Sequence, residues 1–517
     1  MKNKHWIIVV INLILIGFLT ISERLQIKDV VFIYLLVLIP SAILMNIEYL
    51  IVRKKIDYSK FIINKLFFNL TLVIILLGFV IYLMQPKYIS KDTAVNDLKF
   101  MITSLENIHP DIYHVISKDS FAKEMNNEIE DLPDKISELE FFKTCARLTS
   151  QFKSGHTRPM ENLMGFKIIL NKAFPYQTKI IDNKLYVTEN LSLFERIPIG
   201  SEIIEINGKS ISKVTVEWSR LISYENTAYR NYLITIPTKI GIWNDFKCYR
   251  IKYIDYKSNK VKEKNLSGSI YSNFYSFFKS KYNKPTKLFY RELTPNIGYI
   301  GFFDCHDLEN YKQFYKSTFN ELKNNEIEHL IIDIRQNGGG HSVIGFELMQ
   351  YIFNRPFNDR DSSTRKISNE LIATGKVDGI FGANKRVPGT LITTVFEPIQ
   401  LINNPLRFSG KTYLLTDNGT FSAGQGFAST YKCYGNGIII GEETGGVTVN
   451  FGDIHFFNLP NTGQKIMTSW EKAYSPCGVD NNRGVLPDYY VTNSIQDYVE
   501  KKDRVLEFTL NLINSEK

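Results

Sequence analysis

Cysteine and histidine, the residues that form zinc sites, and cysteine pairs, which stabilise small disulfide-rich folds, are scarce in this chain. Its five cysteines (Cys145, Cys248, Cys305, Cys433 and Cys477) are an odd number, lie far apart and form no CxxC pair. No histidine stands at a spacing that would complete a zinc site with them. The sequence therefore implies neither a metal nor an organic cofactor, and it leaves the pairing of the cysteines open.

Charge of one sign is not concentrated in any segment. The net charge of +9 comes from lysines scattered over 517 residues, which is typical of an ordinary basic surface, so we expect no nucleic-acid partner. Hydrophobic residues make up 44% and charged residues 22%, an average globular mixture that excludes a disordered chain. At ~100 to 200 residues per domain, the length predicts about three units.

Charged residues are nearly missing from three apolar runs near the N-terminus. These runs are Trp6–Ile21, Val30–Val52 and Leu66–Met84, and Glu48 is the only charge in them. Each is long enough to approach or reach the ~17 to 25 residues of a membrane-spanning helix. Residues 22–24 offer no small-x-small cleavage site, so the first run is predicted to be a span rather than a signal peptide.

The charges between the apolar runs predict an orientation. Residues 53–65 contain five basic residues and one acidic residue, whereas the charges of residues 22–29 balance. By the positive-inside rule, residues 53–65 and the N-terminus, with Lys2 and Lys4, lie in the cytoplasm. We therefore expect a multi-pass protein of the cell membrane, with the lipid bilayer as a partner and the roughly 430 following residues outside the cytoplasm.

The sequence pattern changes twice after the apolar runs of residues 1–86. Apolar residues at helical spacing predict a helical lead-in over residues 87–164. Short apolar runs with turn residues, such as 202–206 followed by Asn-Gly, predict a small β-rich domain over residues 165–286. Strands alternate with helices over residues 287–517, which indicates an α/β core built from βαβ units.

Seven elements are predicted in this core. The strands are Ile297–Phe303, His329–Ile334, Thr412–Thr416 and Gly437–Ile440, and the helices are Leu308–Lys323, Val343–Phe353 and Ala423–Tyr434. Functional sites of α/β proteins collect at the carboxyl ends of such strands. Two of the strands are followed there by glycines, Gly338–Gly340 and Gly445–Gly446.

Ser422 stands at the start of the last predicted helix, where two interpretations are open. A serine in this position can be an N-cap, whose hydroxyl accepts a hydrogen bond from a free backbone amide. It can also be a nucleophile, because amides at a helix N-terminus stabilise an oxyanion. Glycines such as Gly338–Gly340 expose backbone amides that a reacting carbonyl can approach closely, which favours the nucleophile.

Four segments of the core resemble motifs of the C-terminal processing (tail-specific) and tricorn-core serine peptidases. Residues 331–340, IIDIRQNGGG, resemble their strand-plus-glycine motif, and residues 414–423 resemble their nucleophile motif. Residues 441–446, GEETGG, resemble their downstream loop, and residues 484–488, GVLPD, resemble their closing signature. Four motifs in this order over about 160 residues are far more specific than any one of them. The resemblance implies a ClpP/crotonase-like α/β peptidase core and serine-type peptidase activity.

The resemblance extends upstream of the core. Residues 198–208 look like part of a PDZ-like domain, which many of these peptidases place before the catalytic core to hold the C-terminus of a substrate. Residues 165–286 are therefore expected to form a PDZ-like region that binds substrate tails.

The resemblance also implies the base that serves Ser422. Some of these peptidases use a lysine at the downstream loop, but this chain has no lysine between Gly446 and Lys465. Others use a histidine far upstream, after a helical lead-in, and Ser-Gly-His-Thr stands there with His156. An imidazole with its ordinary pKa suits proton transfer near neutral pH, so His156 is the expected base and His341 its rival.

The remaining site residues are also implied by the resemblance. The tricorn-like peptidases carry a glutamate shortly before the closing signature, and Asp480 stands there in this chain, with Glu442, Glu443 and Glu471 as alternatives. The amides of Gly339 and Ala423 are the expected oxyanion donors. The expected substrate-binding glycines are Gly338, Gly340, Gly445 and Gly446.

Together these features predict a membrane-anchored serine endopeptidase that cleaves peptides or protein C-terminal tails outside the cytoplasm by Ser-His-acid acyl transfer. The main alternative is a catalytically inactive, membrane-tethered peptide-binding or sensor protein with the same fold. An esterase of the α/β-hydrolase kind is less well matched, because Thr420 replaces the first glycine of a Gly-x-Ser-x-Gly elbow around Ser422.

Overall fold

A computed structural model describes residues 87–161, 172–191, 196–244, 248–270, 288–377, 387–435 and 437–515. The three apolar runs predicted to span a membrane lie outside the described residues, as do the domain boundaries predicted at 164/165 and 286/287. No helix in the described ranges is long and apolar enough to cross a bilayer. Apart from Lys87, the described residues belong to one compact unit.

The unit begins with the predicted helical lead-in. Its elements are β1 (Tyr88–Ser90), α1 (Lys91–Ile108), α2 (Lys118–Glu130), β2 (Lys135–Ser137), α3 (Glu138–Ser150) and β3 (Arg158–Pro159). The hydroxyls of Ser90, Ser117 and Ser137 accept hydrogen bonds from the first turns of α1, α2 and α3, which fixes where the helices start. Helix α1 buries Leu98 and Leu105 on one face, as its periodicity predicts.

The region predicted to be β-rich contains an antiparallel sheet and three short helices. Its elements are β4 (Lys172–Ala173), β5 (Tyr176–Ile181), β6 (Lys184–Asn190), β7 (Glu202–Ile206), β8 (Lys209–Ser210), α4 (Ile211–Ser219), α5 (Thr227–Leu233), α6 (Pro237–Trp243), β9 (Tyr249–Ile254), β10 (Val261–Leu266) and β11 (Ser269–Ile270). The strand order is β10-β9-β7-β6-β5, with β8 beside β7 and with β4 and β11 as a separate pair. The helices were not predicted, because helices this short complete too few turns to distinguish their pattern from short apolar runs.

The α/β core is a mixed six-stranded sheet with the order β12-β13-β14-β17-β18-β21. Its elements are β12 (Leu288–Thr294), β13 (Ile297–Phe302), α7 (Leu308–Asn324), β14 (His329–Asp333), α8 (Val343–Ile352), β17 (Lys411–Thr416), α10 (Ala423–Tyr434), β18 (Ile438–Gly441), β21 (Tyr489–Tyr490), α11 (Ile495–Glu500) and α12 (Arg504–Ser515). All seven predicted core elements are confirmed, with ends that differ by at most one residue.

Successive residues of the central strands pack on opposite faces of this sheet. Leu330 and Leu414 lie in a core shared with helices α7, α8 and α10, whereas Ile331 and Leu415 pack against α12. Because both faces of these strands are buried, their sequences are continuous apolar runs rather than alternating apolar and polar residues. Strands β13, β14, β17 and β18 are parallel, so the carboxyl ends of β14, β17 and β18 meet at one edge of the sheet.

A second sheet, which the sequence pattern did not predict, brings the lead-in to the core. Its strands are β15 (Ser362–Lys366), β16 (Leu391–Val395), β19 (Val449–Asn458) and β20 (Lys465–Tyr474), in the order β16-β15-β20-β19, and a short helix α9 (Asn369–Ala373) follows β15. Strand β3 also pairs with β20, through the pairs Pro159–Ile466 and Arg158–Met467. This pairing holds the chain just after His156 against the core.

Candidate active site

Ser422 lies at the carboxyl edge of the core sheet, between strand β17 and helix α10. Its φ of 52° and ψ of −125° are unusual for a residue with a side chain. The side chain makes no capping hydrogen bond to the helix. Instead, Oγ lies 3.1 Å from Nε2 of His156. The N-cap interpretation is therefore not what the structure shows, and the hydroxyl is paired with the histidine expected as its base.

The strained backbone of Ser422 is held in place because hydrogen bonds from two different loops fix the two residues that precede it. The amide of Phe421 donates to the carbonyl of Asn337 at 2.9 Å. The amides of Gly445–Gly446 both donate to the carbonyl of Thr420, at 2.8 and 3.3 Å. Such over-determination lets a sparsely populated backbone conformation persist. The glycine loop after β14 and the loop after β18 thus both position the nucleophile.

Gly445 and Gly446 do not occupy the substrate-binding position predicted for them. Both are buried, and neither lines the cavity in front of Ser422. A Cβ on Gly445 would lie 2.5 Å from the carbonyl oxygen of Asn418, and one on Gly446 would lie 2.9 Å from Cβ of Gln425. The two glycines are needed because the loop packs closely against the nucleophile turn, and their amides hold Thr420 rather than a substrate.

His156 follows helix α3 in a tight turn that ends where strand β3 begins. The imidazole is buried, and its ring stacks on that of Phe421 with 4.8 Å between centroids. Burial and the positive charge of Arg158 lower the pKa of His156 to about 4, while the backbone of Phe451 acts in the opposite direction. The imidazole is therefore neutral at neutral pH, the form that can accept a proton from Ser422.

The structure does not bring Asp480, the predicted acid, to the imidazole. Asp480 is exposed in the loop after β20, and its charge acts on His114 and Lys472 rather than on His156. Next to Asp480, the carbonyl of Val479 accepts a hydrogen bond from Thr448 Oγ1, which fixes this part of the loop. The prediction of a Ser-His-Asp set with Asp480 is therefore corrected to a Ser-His pair.

The three alternative carboxylates are bound by basic side chains elsewhere. Glu442 pairs with Lys179 at 2.7 Å, and Glu443 pairs with Arg483 at 2.8 Å. Glu471 pairs with Arg360 and Arg365. Within the described ranges no carboxylate is hydrogen-bonded to the buried Nδ1 of His156.

The glycine loop after β14 lies directly against the nucleophile. Gly339 has a φ of 97°, and a Cβ there would lie 2.7 Å from both Cβ of Ser422 and the amide nitrogen of Ala423. Its own amide already donates to Oδ1 of Asn337 at 2.9 Å, so an oxyanion would have to compete for the donor predicted at this position. The amides of Gly340 and Ala423 have no acceptor among the described residues, and both residues lie beside Ser422.

A cavity of 730 Å³ opens in front of Ser422, His156 and Gly338–Gly340. Much of its wall is apolar, with side chains that include Phe142, Leu221, Ile222, Leu233, Trp243 and Met467. His341, the rival base, also lines the cavity, but its ring is exposed and lies 6.3 Å from that of His306. It makes no hydrogen bond to Ser422 in the structure.

The structure pairs two of the cysteines whose pairing the sequence leaves open. Cys433 near the end of α10 and Cys477 in the loop after β20 form a disulfide, with 5.7 Å between their Cα atoms. Cys145 and Cys305 are buried thiols, and Cys248 is an exposed thiol. In the described part of the chain, no three His, Cys, Asp or Glu side chains are grouped so that they could hold a metal ion.

Comparison with known proteins finds a family that the core of this chain resembles. Residues 296–491 match the model of peptidase family S41. This part of the chain, which contains Ser422, is therefore similar to the peptidases of family S41. The resemblance predicted from the sequence is thus confirmed, and with it a serine-type peptidase.

Several solved structures match most of this chain at low sequence identity. Mature CPAF is 14% identical over 82% of this chain and 98% of its own, with a TM-score of 0.58. Mature CPAF complexed with lactacystin is 14% identical over 82% and 99%, with a TM-score of 0.56. The photosystem II D1 C-terminal processing protease is 14% identical over 79% and 96%, with a TM-score of 0.41. The CPAF likeness shows the fold, and none of the curated proteins matches the chain in sequence.

Proposed function

We propose that this protein is a membrane-anchored serine endopeptidase that cleaves peptides or protein C-terminal tails outside the cytoplasm. One observation carries the proposal, namely the 3.1 Å contact between Nε2 of a neutral, buried His156 and Oγ of Ser422. A serine in a strained turn with a basic imidazole at hydrogen-bond distance is the arrangement of an activated nucleophile.

The reaction is acyl transfer in two stages. His156 Nε2 takes the proton of Ser422 as Oγ attacks the carbonyl carbon of the scissile peptide. The oxyanion is bound by the amides of Gly340 and Ala423, which replace the predicted pair with Gly339. As the intermediate collapses, the C–N bond breaks and His156 returns the proton to the leaving amine. Water then attacks the acyl-enzyme, passes a proton to His156 and releases the acid, and Ser422 recovers its proton.

The missing carboxylate partner on His156 favours one competing function. A peptide-binding or sensor protein with the same fold would keep the cavity and the pair of Ser422 and His156 without turnover. In serine peptidases the acid stabilises the imidazolium that forms during the reaction. Here the backbone of Phe451 acts to raise the pKa of His156, but burial and the charge of Arg158 outweigh it.

A fluorophosphonate probe distinguishes these two functions, because it reacts with an activated serine. We expect the detergent-purified full-length protein to be labelled on Ser422, and Ser422→Ala to abolish the labelling. Asp480→Asn serves as the control and should label like the wild type, because Asp480 is exposed and its charge acts on His114 rather than on His156. If the wild-type protein takes no label while a control serine peptidase is labelled under the same conditions, the result would support the function of a binding protein instead.

The substrate-tail part of the proposal uses the same preparation. The antiparallel sheet of β5, β6, β7, β9 and β10 contains the segment that resembles a PDZ-like domain. A domain of this kind holds a free C-terminal carboxylate, so a peptide with a free C-terminus should be cleaved faster than the same peptide with a C-terminal amide. Equal cleavage of the two would contradict recognition of substrate tails.

The disulfide between Cys433 and Cys477 supports a location outside the cytoplasm, because disulfides persist in oxidising compartments. Cys248 gives a test of this location, since its thiol is exposed. We expect a membrane-impermeant maleimide to label the protein in intact cells, and Cys248→Ala to remove this labelling. Labelling that requires permeabilised cells would place the catalytic part in the cytoplasm and reverse the predicted orientation.

A further inference from the structure

The segment Ser223–Asn226, between helices α4 and α5, crosses from the turn that carries His156 to the loop after β18. At one end, Ser223 Oγ donates to the carbonyl of Thr157 at 2.6 Å. At the other end, Asn226 Nδ2 donates to the carbonyl of Thr444 at 3.0 Å. We call this segment the strap, because it is bonded to the residues next to the base and to the loop that positions the nucleophile.

Glu225 lies in the middle of the strap and is bonded to both sides. Its Oε1 accepts a hydrogen bond from the amide of Gly155 at 3.3 Å, and its Oε2 accepts one from the amide of Val447 at 3.2 Å. The side chain is buried, and no basic side chain of the described residues pairs with it. A carboxylate without a counterion in the interior costs free energy, which distinguishes Glu225 from the paired Glu442, Glu443 and Glu471.

The two amides that Glu225 binds belong to the two halves of the active site. Gly155 directly precedes His156, so its position determines where the imidazole stands. Val447 directly follows Gly445–Gly446, whose amides hold the carbonyl of Thr420 two residues before the nucleophile. A single carboxylate therefore connects the turn that carries His156 to the loop that holds the turn before Ser422.

We propose that Glu225 is a positioning residue that sets the contact between His156 and Ser422 by holding both turns through one ionised carboxylate. This role deepens the proposed function and rests on it, and no motif in the sequence marks Glu225 for it. The hydrogen bonds of the Glu225 carboxylate go to the backbone amides of Gly155 and Val447, so it acts on Ser422 and the imidazole through the backbone.

The ionised state of Glu225 matters because it determines how many hydrogen bonds from backbone amides the side chain can accept. A carboxylate offers two acceptor oxygens, whereas a protonated carboxyl turns one of them into a donor, which cannot serve both amides equally. Hydrogen bonds to a charged acceptor are also stronger than those to a neutral one. Protonation of Glu225 therefore loosens one of the two turns.

Burial raises the pKa of Glu225 to about 7, and its two amide bonds act in the opposite direction. The elements around it carry further titratable or charged groups, namely Tyr224 on the strap, Tyr229, Arg230 and Tyr232 on α5, Lys153, His156 and Arg158 on the turn and strand after α3, and Glu442 and Glu443 on the loop after β18. The pKa of His156 lies much lower, near 4, so the two groups change charge in separate pH ranges. A pH profile can thus assign a loss of reactivity to one or the other.

The sign of the effect on stability is opposite to that on reactivity. Because the pKa of Glu225 is raised in the folded state, its contribution to stability is present at low pH and is lost as the pH rises through about 7. Reactivity is expected to rise over the same range, because the ionised carboxylate holds the two turns. A structural role alone would make reactivity follow stability downward.

The test is the rate of labelling by the fluorophosphonate probe on full-length protein in detergent, measured from pH 3 to 9 for wild type and for Glu225→Gln. Wild type should reach half its maximal rate near pH 7. Glu225→Gln, which keeps one acceptor oxygen, should label about tenfold more slowly at pH 8 and should lose the step near pH 7, keeping only the step near pH 4 set by His156.

The matched control is Glu217→Gln, the same chemical change on helix α4, where the carboxylate is exposed and pairs with Lys209. It should keep the wild-type rate and profile. A Glu225→Gln protein that melts like wild type and labels at the wild-type rate with the wild-type profile would overturn the inference. If that variant does not fold, the wild-type profile decides alone, since a single step near pH 4 contradicts the role of Glu225. Wild type without label at any pH would instead mean that the proposed function has failed, and the inference with it.

Discussion

His156→Ala is expected to lower the rate of fluorophosphonate labelling of Ser422 by about 10³-fold, because general-base catalysis supplies about that factor. The reason is that the hydroxyl of Ser422 has its 3.1 Å partner in His156 Nε2 and makes no other bond that could remove its proton. His341→Ala is the control, since His341 lines the same cavity but is exposed and not bonded to Ser422.

The comparison of the two histidine variants separates the base from its rival. A small effect of His156→Ala together with a large effect of His341→Ala would mean that the glycine loop rearranges to deliver the second histidine when substrate binds. Equal losses in both variants, with unchanged melting, would contradict a single base. Thermal melting of both variants is needed, because the ring of His156 packs on Phe421.

Gly339→Ala is expected to reduce labelling of Ser422 by at least about a hundredfold, because misplacement of a reacting group by about 1 Å costs that much. A Cβ at this position would lie 2.7 Å from Cβ of Ser422 and from the amide nitrogen of Ala423, and the φ of 97° disfavours any side chain. The nucleophile and the first turn of α10 must therefore move.

The neighbouring glycine provides the matched control for this prediction. A Cβ on Gly338 would meet no atom within 4 Å, and the residue is exposed to the cavity. Gly338→Ala should therefore label close to the wild-type rate. If both variants lose labelling equally, the glycines serve the flexibility of the loop, and the close approach of Gly339 to Ser422 is not what limits the reaction.

The core could be predicted from the sequence because its signals are local. Strand β14 is an apolar run that ends in three glycines, and helix α10 begins at a serine after a turn, so their ends follow from neighbouring residues. The pair of Ser422 and His156 was found through the resemblance of short motifs. Their contact, across 266 positions of the chain, cannot be read from either motif alone.

The features that were missed depend on contacts between distant segments. Glu225 stands in a stretch with no turn, strand or motif signal, and its role follows from amides 70 and 222 positions away. Asp480 was predicted from its spacing to the closing signature, but spacing along the chain does not determine how the loop after β20 folds, and the structure leaves Asp480 exposed there. Strands β19 and β20 carry mixed burial along their lengths, which obscures the simple alternation of a half-buried strand.

Strand β3, just after His156, is anchored on β20, which lies beyond the nucleophile in the chain. During synthesis or export from the N-terminus, the histidine emerges first, the serine much later, and the strand that clamps the histidine turn last of all. Contacts of such long sequence separation form late in folding. The pairing that holds the turn of His156 therefore forms only after both His156 and Ser422 have been synthesised, so we expect a chain that ends before β20 to remain unlabelled by the fluorophosphonate probe.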